Sequence, residues 1–194
     1  MDTETDPVIV GLTGRAGSDK DAAADILVTR HDFTAYAFTT PLQDILLKVD
    51  PFVDSRLRLR TVVDDMGWKA ALSHRRHGST IRRYMVSTGA ALRSQFGPDI
   101  LVRRLYEQLL DEYGVGLPDA RIVIRDVRLP DEGRFITDLG GRVINVLQPA
   151  VRPLPHDLRD ELPDDLVHGT ATVGGDPDRL DRQLTTLLDL SPNR

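Results

Sequence analysis

Apolar and polar positions change rhythm several times along the chain. "VIVGL" (8–12) is a short β-branched run closed by glycine, which predicts a buried strand. From Lys20 to about Thr29, Ala22, Ala23, Ile26 and Leu27 mark one side of a helix. "FTAYAF" (33–38) predicts a second strand, and Pro41 then opens a helix carrying Leu42, Ile45 and Leu46. "RIVIRDV" (121–127) is the clearest internal strand, because turn-forming "GVGLPDA" precedes its apolar centre. "GRVINVL" (141–147) opens on the pair Gly140 and Gly141, and "GTATV" (169–173) ends at Gly174 and Gly175. A last helix over Pro177 to Leu190 turns Leu180, Leu184, Leu187 and Leu188 inward.

Between Ser55 and about Tyr113 the pattern is helical and rich in arginine. Strands alternating with helices imply an α/β fold with a mostly parallel sheet covered on both faces. An arginine-rich helical insertion between the second and third strands is expected to cap the carboxyl ends of the sheet, where such folds bind ligands. "QPAVRPLPHDLRDELPDD" (148–165) is rich in Pro and Asp and is expected to be an irregular loop.

The length of 194 residues suits one domain, and 40% hydrophobic with 28% charged residues excludes a disordered chain. A formal net charge of −5 argues against binding to polymeric nucleic acid. The absence of cysteine removes disulfides, thiolate–metal sites and a cysteine nucleophile. "MDTETDP" shows no secretory signal, and no run is long enough to span a bilayer. A cytoplasmic protein without a membrane segment is the expectation.

The chemistry gathers at "GRAGSDKD" (14–21), between the first strand and its helix. Gly14, Arg15, Ala16, Gly17 and Ser18 offer backbone N–H groups that can curl round a phosphate. Lys20 adds a mobile charge, and the helix points its positive end at the anion. The full pattern G-x-x-x-x-G-K-[ST] is not met, because Asp19 stands for the second glycine and Asp21 for the hydroxyl residue that holds magnesium. A strand–turn–helix junction whose aspartates complement the helix dipole explains the same letters. Asp126, at the carboxyl end of the third predicted strand, can hold magnesium, and Arg128 can reach a transferring phosphate. A surface ion pair is the plainer account of those two.

"GLTGRAGSDKDAAADIL", "YAFTTPLQDILLKVDPFV", "VVDDMGWKAA", "IRRYMVSTGAALRSQFGPDILV" and "IRDVRLPDEGRFITDLGGRVINVLQP" occur in collinear order. Together they resemble the deoxynucleoside monophosphate kinases of bacteriophages. The resemblance implies a P-loop kinase fold, a three-layer α/β/α sandwich on a mostly parallel five-stranded sheet. It would be a single domain over 1–194, with 55–115 as a helical substrate and lid insertion. It also implies ATP as donor, Mg2+, and a deoxynucleoside 5′-monophosphate as acceptor, in the host cytoplasm if phage-encoded. The partners implied are small nucleotides, with a homodimer left open.

Carried onto this sequence, the resemblance gives catalytic roles to Lys20, Asp126 and Arg128, and metal roles to Asp21 and Asp126. The loop residues 14–21, Asp19 included, and Gly175 would hold the donor nucleotide. Phe38, Arg82, Arg83, Arg93, Arg103 and Glu132 would meet the acceptor. For any single arginine, a solvated helix surface is the plainer reading. His74 and His77 make no metal site by spacing alone, and Trp68 suits packing as well as stacking on a base. Asp21 fits the family's G-x-x-G-S-G-K-D loop, whereas Asp19 departs from it. So do Gly89-Ala90-Ala91 before Arg93, Leu101, Asp131 and the Gly174-Gly175-Asp176 turn. Two alternatives stay open: a weakened or non-catalytic nucleotide-binding protein, and a kinase of the same fold with another small acceptor.

Overall fold

A computed structural model describes residues 8–15, 17–150 and 162–190. Ala16 and residues 151–161 of the expected irregular loop lie outside the described residues. The chain divides into two compact units, Met1–Phe38 with Leu105–Arg194, and Thr39–Arg104.

The first unit is built on five strands: β1 (Val8–Thr13), β2 (Thr34–Tyr36), β3 (Arg121–Ile124), β4 (Arg142–Leu147) and β5 (Gly169–Thr172). All neighbours are parallel, in the order β2-β3-β1-β4-β5. β1 lies at the centre, which explains why its sequence is apolar nearly throughout rather than alternating. Val10 and Leu12 of β1 join a core with Val123, Ile144, Val146 and Ala171. Onto that face pack α1 (Lys20–His31), through Ala23, Ala24, Ile26 and Leu27, and α7 (Pro177–Leu188), through Leu180, Leu184 and Leu188. Burying each such leucine contributes about 1.5–3 kcal/mol.

Gly11 points the other way along β1, where α6 (Pro130–Asp138) approaches closely. A Cβ there would overlap the Ile136 side chain and stand 2.9 Å from a Val127 methyl, so only glycine lets this helix sit down on the sheet. The same parity puts Thr13 on the α6 side of β1.

β3 is shorter than the run 121–127 predicts. After Ile124 the Arg125 N–H still reaches the Tyr36 carbonyl at 3.0 Å and the Val127 N–H reaches that of Leu12 at 3.1 Å. The chain therefore turns while tied to both neighbouring strands, and Asp126 is fixed between those two bonds.

The second unit contains α2 (Thr40–Val49), α3 (Leu59–Ser73), α4 (Gly78–Phe96) and the first residues of α5 (Ile100–Tyr113), which continues into the first unit. Its core joins Leu46, Val53, Leu59, Val62, Ala71 and Ile81, with Trp68 packed against it. Gly67 breaks α3 with φ 75°. Trp68 is thus a packing residue of this helical unit. No helix among the described residues is long and apolar enough to cross a membrane.

Candidate functional site

In the sheet order, β1 sends the chain outward to β2, and β4 then returns on its other side. Ligands of open parallel sheets sit at such reversals, outside the carboxyl ends of the strands. The segments leaving β1 and β3 are the two that carry the loop and Asp126.

The loop after β1 is held by backbone conformation. Gly14 has φ 136° and Gly17 has φ 80°, both in the left-handed half of backbone space. A Cβ at Gly14 would overlap the Val146 carbonyl oxygen and come 2.9 Å from Ser18 Oγ, so this glycine is required twice over. The Ser18 N–H closes a turn on the Arg15 carbonyl at 3.0 Å. Asp19 follows with φ 61° and ψ 43°, a left-handed residue at the N-cap of α1. Its side chain makes no capping hydrogen bond and the residue is exposed. Lys20 reaches back over the loop, donating from Nζ to the Gly14 carbonyl and, at 3.2 Å, to that of Arg15.

Two hydroxyls mark this end of the sheet. Thr13 and Ser18 are each 3% exposed. Neither Thr13 Oγ1 nor Ser18 Oγ has a hydrogen-bond partner among the described residues. Buried hydroxyls without partners are costly, by about 1–3 kcal/mol each, and in native sites they signal a missing ligand or water. The sequence reading included Ser18 and missed Thr13. The signal available was a polar residue ending an otherwise apolar strand.

Asp126 accepts the Phe38 N–H on Oδ1 at 2.8 Å, which fixes the carboxylate against the chain leaving β2. Phe38 itself is fully buried, edge-on to Phe135 at 6.0 Å, and Tyr106 meets the same ring at 5.7 Å. The Phe38 ring therefore packs the core, and what it offers to the site is its amide. Glu132, 5% exposed, accepts the Arg128 N–H at 2.7 Å and the Leu129 N–H at 2.9 Å on one oxygen. This ties down the first turn of α6 and fixes the backbone from which the Arg128 side chain departs. Gly175, φ 83°, makes the turn before α7, with open space round its Cα. Asp176 then caps that helix by accepting the Asp178 N–H at 3.0 Å.

In the second unit, Arg82 donates to the Leu72 carbonyl at the end of α3. Arg103 donates to the Phe96 carbonyl and pairs with Asp99 at 3.1 Å. Arg83 is exposed, and a Cβ on buried Gly89 would lie 3.2 Å from an Arg93 guanidinium nitrogen. Arg56 and Arg76 belong to the arginine-rich stretch but carried no individual role in the sequence reading. With Asp54, Ser55 and Leu57 they line a cavity of about 450 Å³. Amides of Arg56 and Leu57, then the charges of Arg76 and His77, hold the Asp54 carboxyl below the usual carboxylate range against some burial.

Left-handed glycines, the N-terminus of α1 and the lysine folded over loop carbonyls fit a bound polyphosphate. Among the described residues no group of three or more His, Asp or Glu side chains is placed to hold a metal. Magnesium needs less from the protein, since one or two carboxylates plus nucleotide phosphates suffice. Asp21 and Asp126 have the chemistry for that.

No protein-family model matches the chain. A protein of Acanthamoeba polyphaga mimivirus, named "Putative deoxynucleotide monophosphate kinase", is 28% identical over 159 residues, covering 74% of this chain and 76% of that protein. TT1252 of Thermus thermophilus superposes with a TM-score of 0.51 at 18% identity, over 96% of this chain and 100% of its own. A dephospho-CoA kinase from Campylobacter jejuni aligns over 93% and 95% with a TM-score of 0.46 at 12% identity. The fold is thus an α/β fold with a five-stranded all-parallel sheet and flanking helices, shared with a solved structure along nearly its whole length.

Proposed function

We propose that the protein is a nucleotide kinase that moves the γ-phosphoryl group of ATP onto a deoxynucleoside monophosphate. The observation that carries the reading is the loop after β1. Gly14, Gly17 and Asp19 all adopt left-handed backbone there, and Lys20 Nζ lies on the loop carbonyls. The mimivirus relative supports the acceptor class, because its name states that substrate.

In this reading the backbone N–H groups of 14–20 and the Lys20 ammonium hold the donor phosphates. A phosphate oxygen of the acceptor attacks the γ-phosphorus as the bond to the β–γ bridging oxygen breaks. Negative charge then builds on the oxygens of the moving group and on the leaving ADP, and Lys20 and Arg128 neutralise it. Magnesium, when bound, screens the donor phosphates, with Asp21 and Asp126 as its protein carboxylates. Asp126 is oriented for this by the Phe38 amide, and Arg128 by Glu132. Arg82, Arg83, Arg93 and Arg103 are the residues proposed to anchor the acceptor phosphate.

The test is a coupled assay of ADP release with each deoxynucleoside and ribonucleoside monophosphate in turn. Turnover is expected with at least one deoxynucleotide, falling about 10²-fold or more in Lys20→Ala and in Asp126→Asn. A folded wild-type protein that binds ATP yet turns over no deoxynucleotide would refute the acceptor class. Turnover with another small phosphate acceptor would then give the site a different substrate.

A further inference from the structure

The loop pattern asks for glycine at position 19, and the structure shows why. With φ 61° and ψ 43° the residue is left-handed, a conformation most side chains resist. Aspartate and asparagine are the non-glycine residues that enter it most readily. Asp19 therefore satisfies the backbone requirement of the loop while adding a charge that glycine lacks. The residue is exposed, its carboxylate caps nothing, and no ion pair to it exists among the described residues. The two buried hydroxyls without partners flank the start of this loop, Thr13 ending β1 and Ser18 within the loop, with Ser18 Oγ pressed against Gly14. The loop and the strand end before it thus retain the shape and the unmet hydrogen bonds of a ligand site, with one exposed carboxylate at the loop's exit.

We infer that Asp19 sets the charge selectivity of the loop, weakening polyphosphate binding and favouring the magnesium complex of ATP over metal-free ATP. The inference rests on the kinase reading only in taking ATP as the loop's ligand. Repulsion between Asp19 and the ligand scales with ligand charge, and metal-free ATP carries about two more negative charges than its magnesium complex. One unit charge pair at about 4 Å in water changes a binding constant by roughly five-fold. The effect on the metal-free nucleotide is therefore the larger. Because Asp19 is exposed, salt screens the repulsion over a Debye length of about 8–10 Å.

Three variants separate charge from backbone. Asp19→Asn removes the charge and keeps a residue suited to the left-handed region. Asp19→Gly removes both the charge and the strain. Asp19→Ala removes the charge and imposes a strain that depopulates the ordered loop by roughly ten-fold. Calorimetric titration with ATP, with magnesium and with a chelator in its place, reads all of them. Asp19→Asn and Asp19→Gly are expected to bind magnesium–ATP about five-fold tighter than wild type, and metal-free ATP more than ten-fold tighter. Both gains should shrink as salt rises. Asp19→Ala is expected at or below wild-type affinity despite its lost charge, with a lower melting temperature in the free protein than Asp19→Asn.

Equal affinities of wild type and Asp19→Asn in both cation states would overturn the inference. So would Asp19→Ala binding as tightly as Asp19→Asn. Lys20→Ala serves as the control for the reading beneath it. If that variant loses affinity while Asp19→Asn changes nothing, the inference falls and the nucleotide site stands. If no protein binds ATP in either state, both fall.

Discussion

At the N-terminal end of α1, Thr13 and Ser18 keep buried hydroxyls without partners, and Asp19 holds its carboxylate in solvent. At the other end of the same helix the polar groups are matched. Arg30 reaches Asp178 at 2.8 Å and Asp181 at 2.9 Å, and buried His31 meets Asp181 at 2.6 Å. Arg121 in turn donates to the His31 carbonyl at 2.9 Å. One helix thus joins a seam fastened to α7 with a terminus beside two hydroxyls left without partners. Saturation is what a structural contact needs, whereas open donors and acceptors are what a ligand uses. The difference separates the stability of this unit from its chemistry.

If that division holds, changes at the open end should cost function, and changes at the matched end should cost stability. Gly14→Ala has the largest expected effect, since its Cβ would overlap the Val146 carbonyl and φ 136° suits only glycine. ATP binding should disappear in titration calorimetry, with a loss of about 2–4 kcal/mol in urea unfolding. Leu184→Ala, in the core between α7 and the sheet, should cost about 2–5 kcal/mol of stability. ATP affinity of its folded fraction should stay near that of wild type. A change in affinity as large as that of a loop variant would break the comparison.

Asp181→Asn is the smaller case at the matched end, with an expected loss of about 1–2 kcal/mol at neutral pH. Burial alone would raise the Asp181 pKa, but hydrogen bonds from His31 and then Arg30 outweigh it and leave the group below its ordinary value of 3.8. A depressed carboxylate pKa stabilises the fold above that ordinary value and loses its contribution as pH falls through the folded pKa. Urea melts of wild type and Asp181→Asn should therefore differ at pH 6, and the gap should start to narrow only as pH falls below about 3.8. A gap that stays constant as pH falls below 3.8 would show that the carboxylate charge is not what holds this seam.

The sheet was legible because its strands are short apolar runs bounded by glycine and proline, and each strand appears where its run predicts. Strand ends were less legible. β3 closes at Ile124 although the Arg125 and Val127 N–H groups still reach the chains of its two neighbours, which no local pattern records. In the candidate site, the loop with Lys20 and the segment with Asp126 both leave strand ends, which the apolar runs already mark. Spacing could not reveal that position 19 is left-handed, and the structure turns that apparent defect into a residue chosen for its backbone. The burial of Phe38 and the two amides accepted by Glu132 were equally hidden, because side-chain direction depends on packing from distant segments. The His31–Asp181 contact spans 150 positions and left no local trace.

The proposed function has this loop carry a phosphoryl group to a nucleotide. Incubation with ATP labelled in its γ-phosphate, magnesium and an equal mixture of the deoxynucleoside monophosphates tests it most directly. Label is expected in the β-phosphate of at least one deoxynucleoside diphosphate, and about a hundredth of it or less with Lys20→Ala. Label that remains in ATP, or appears only as inorganic phosphate, would contradict it.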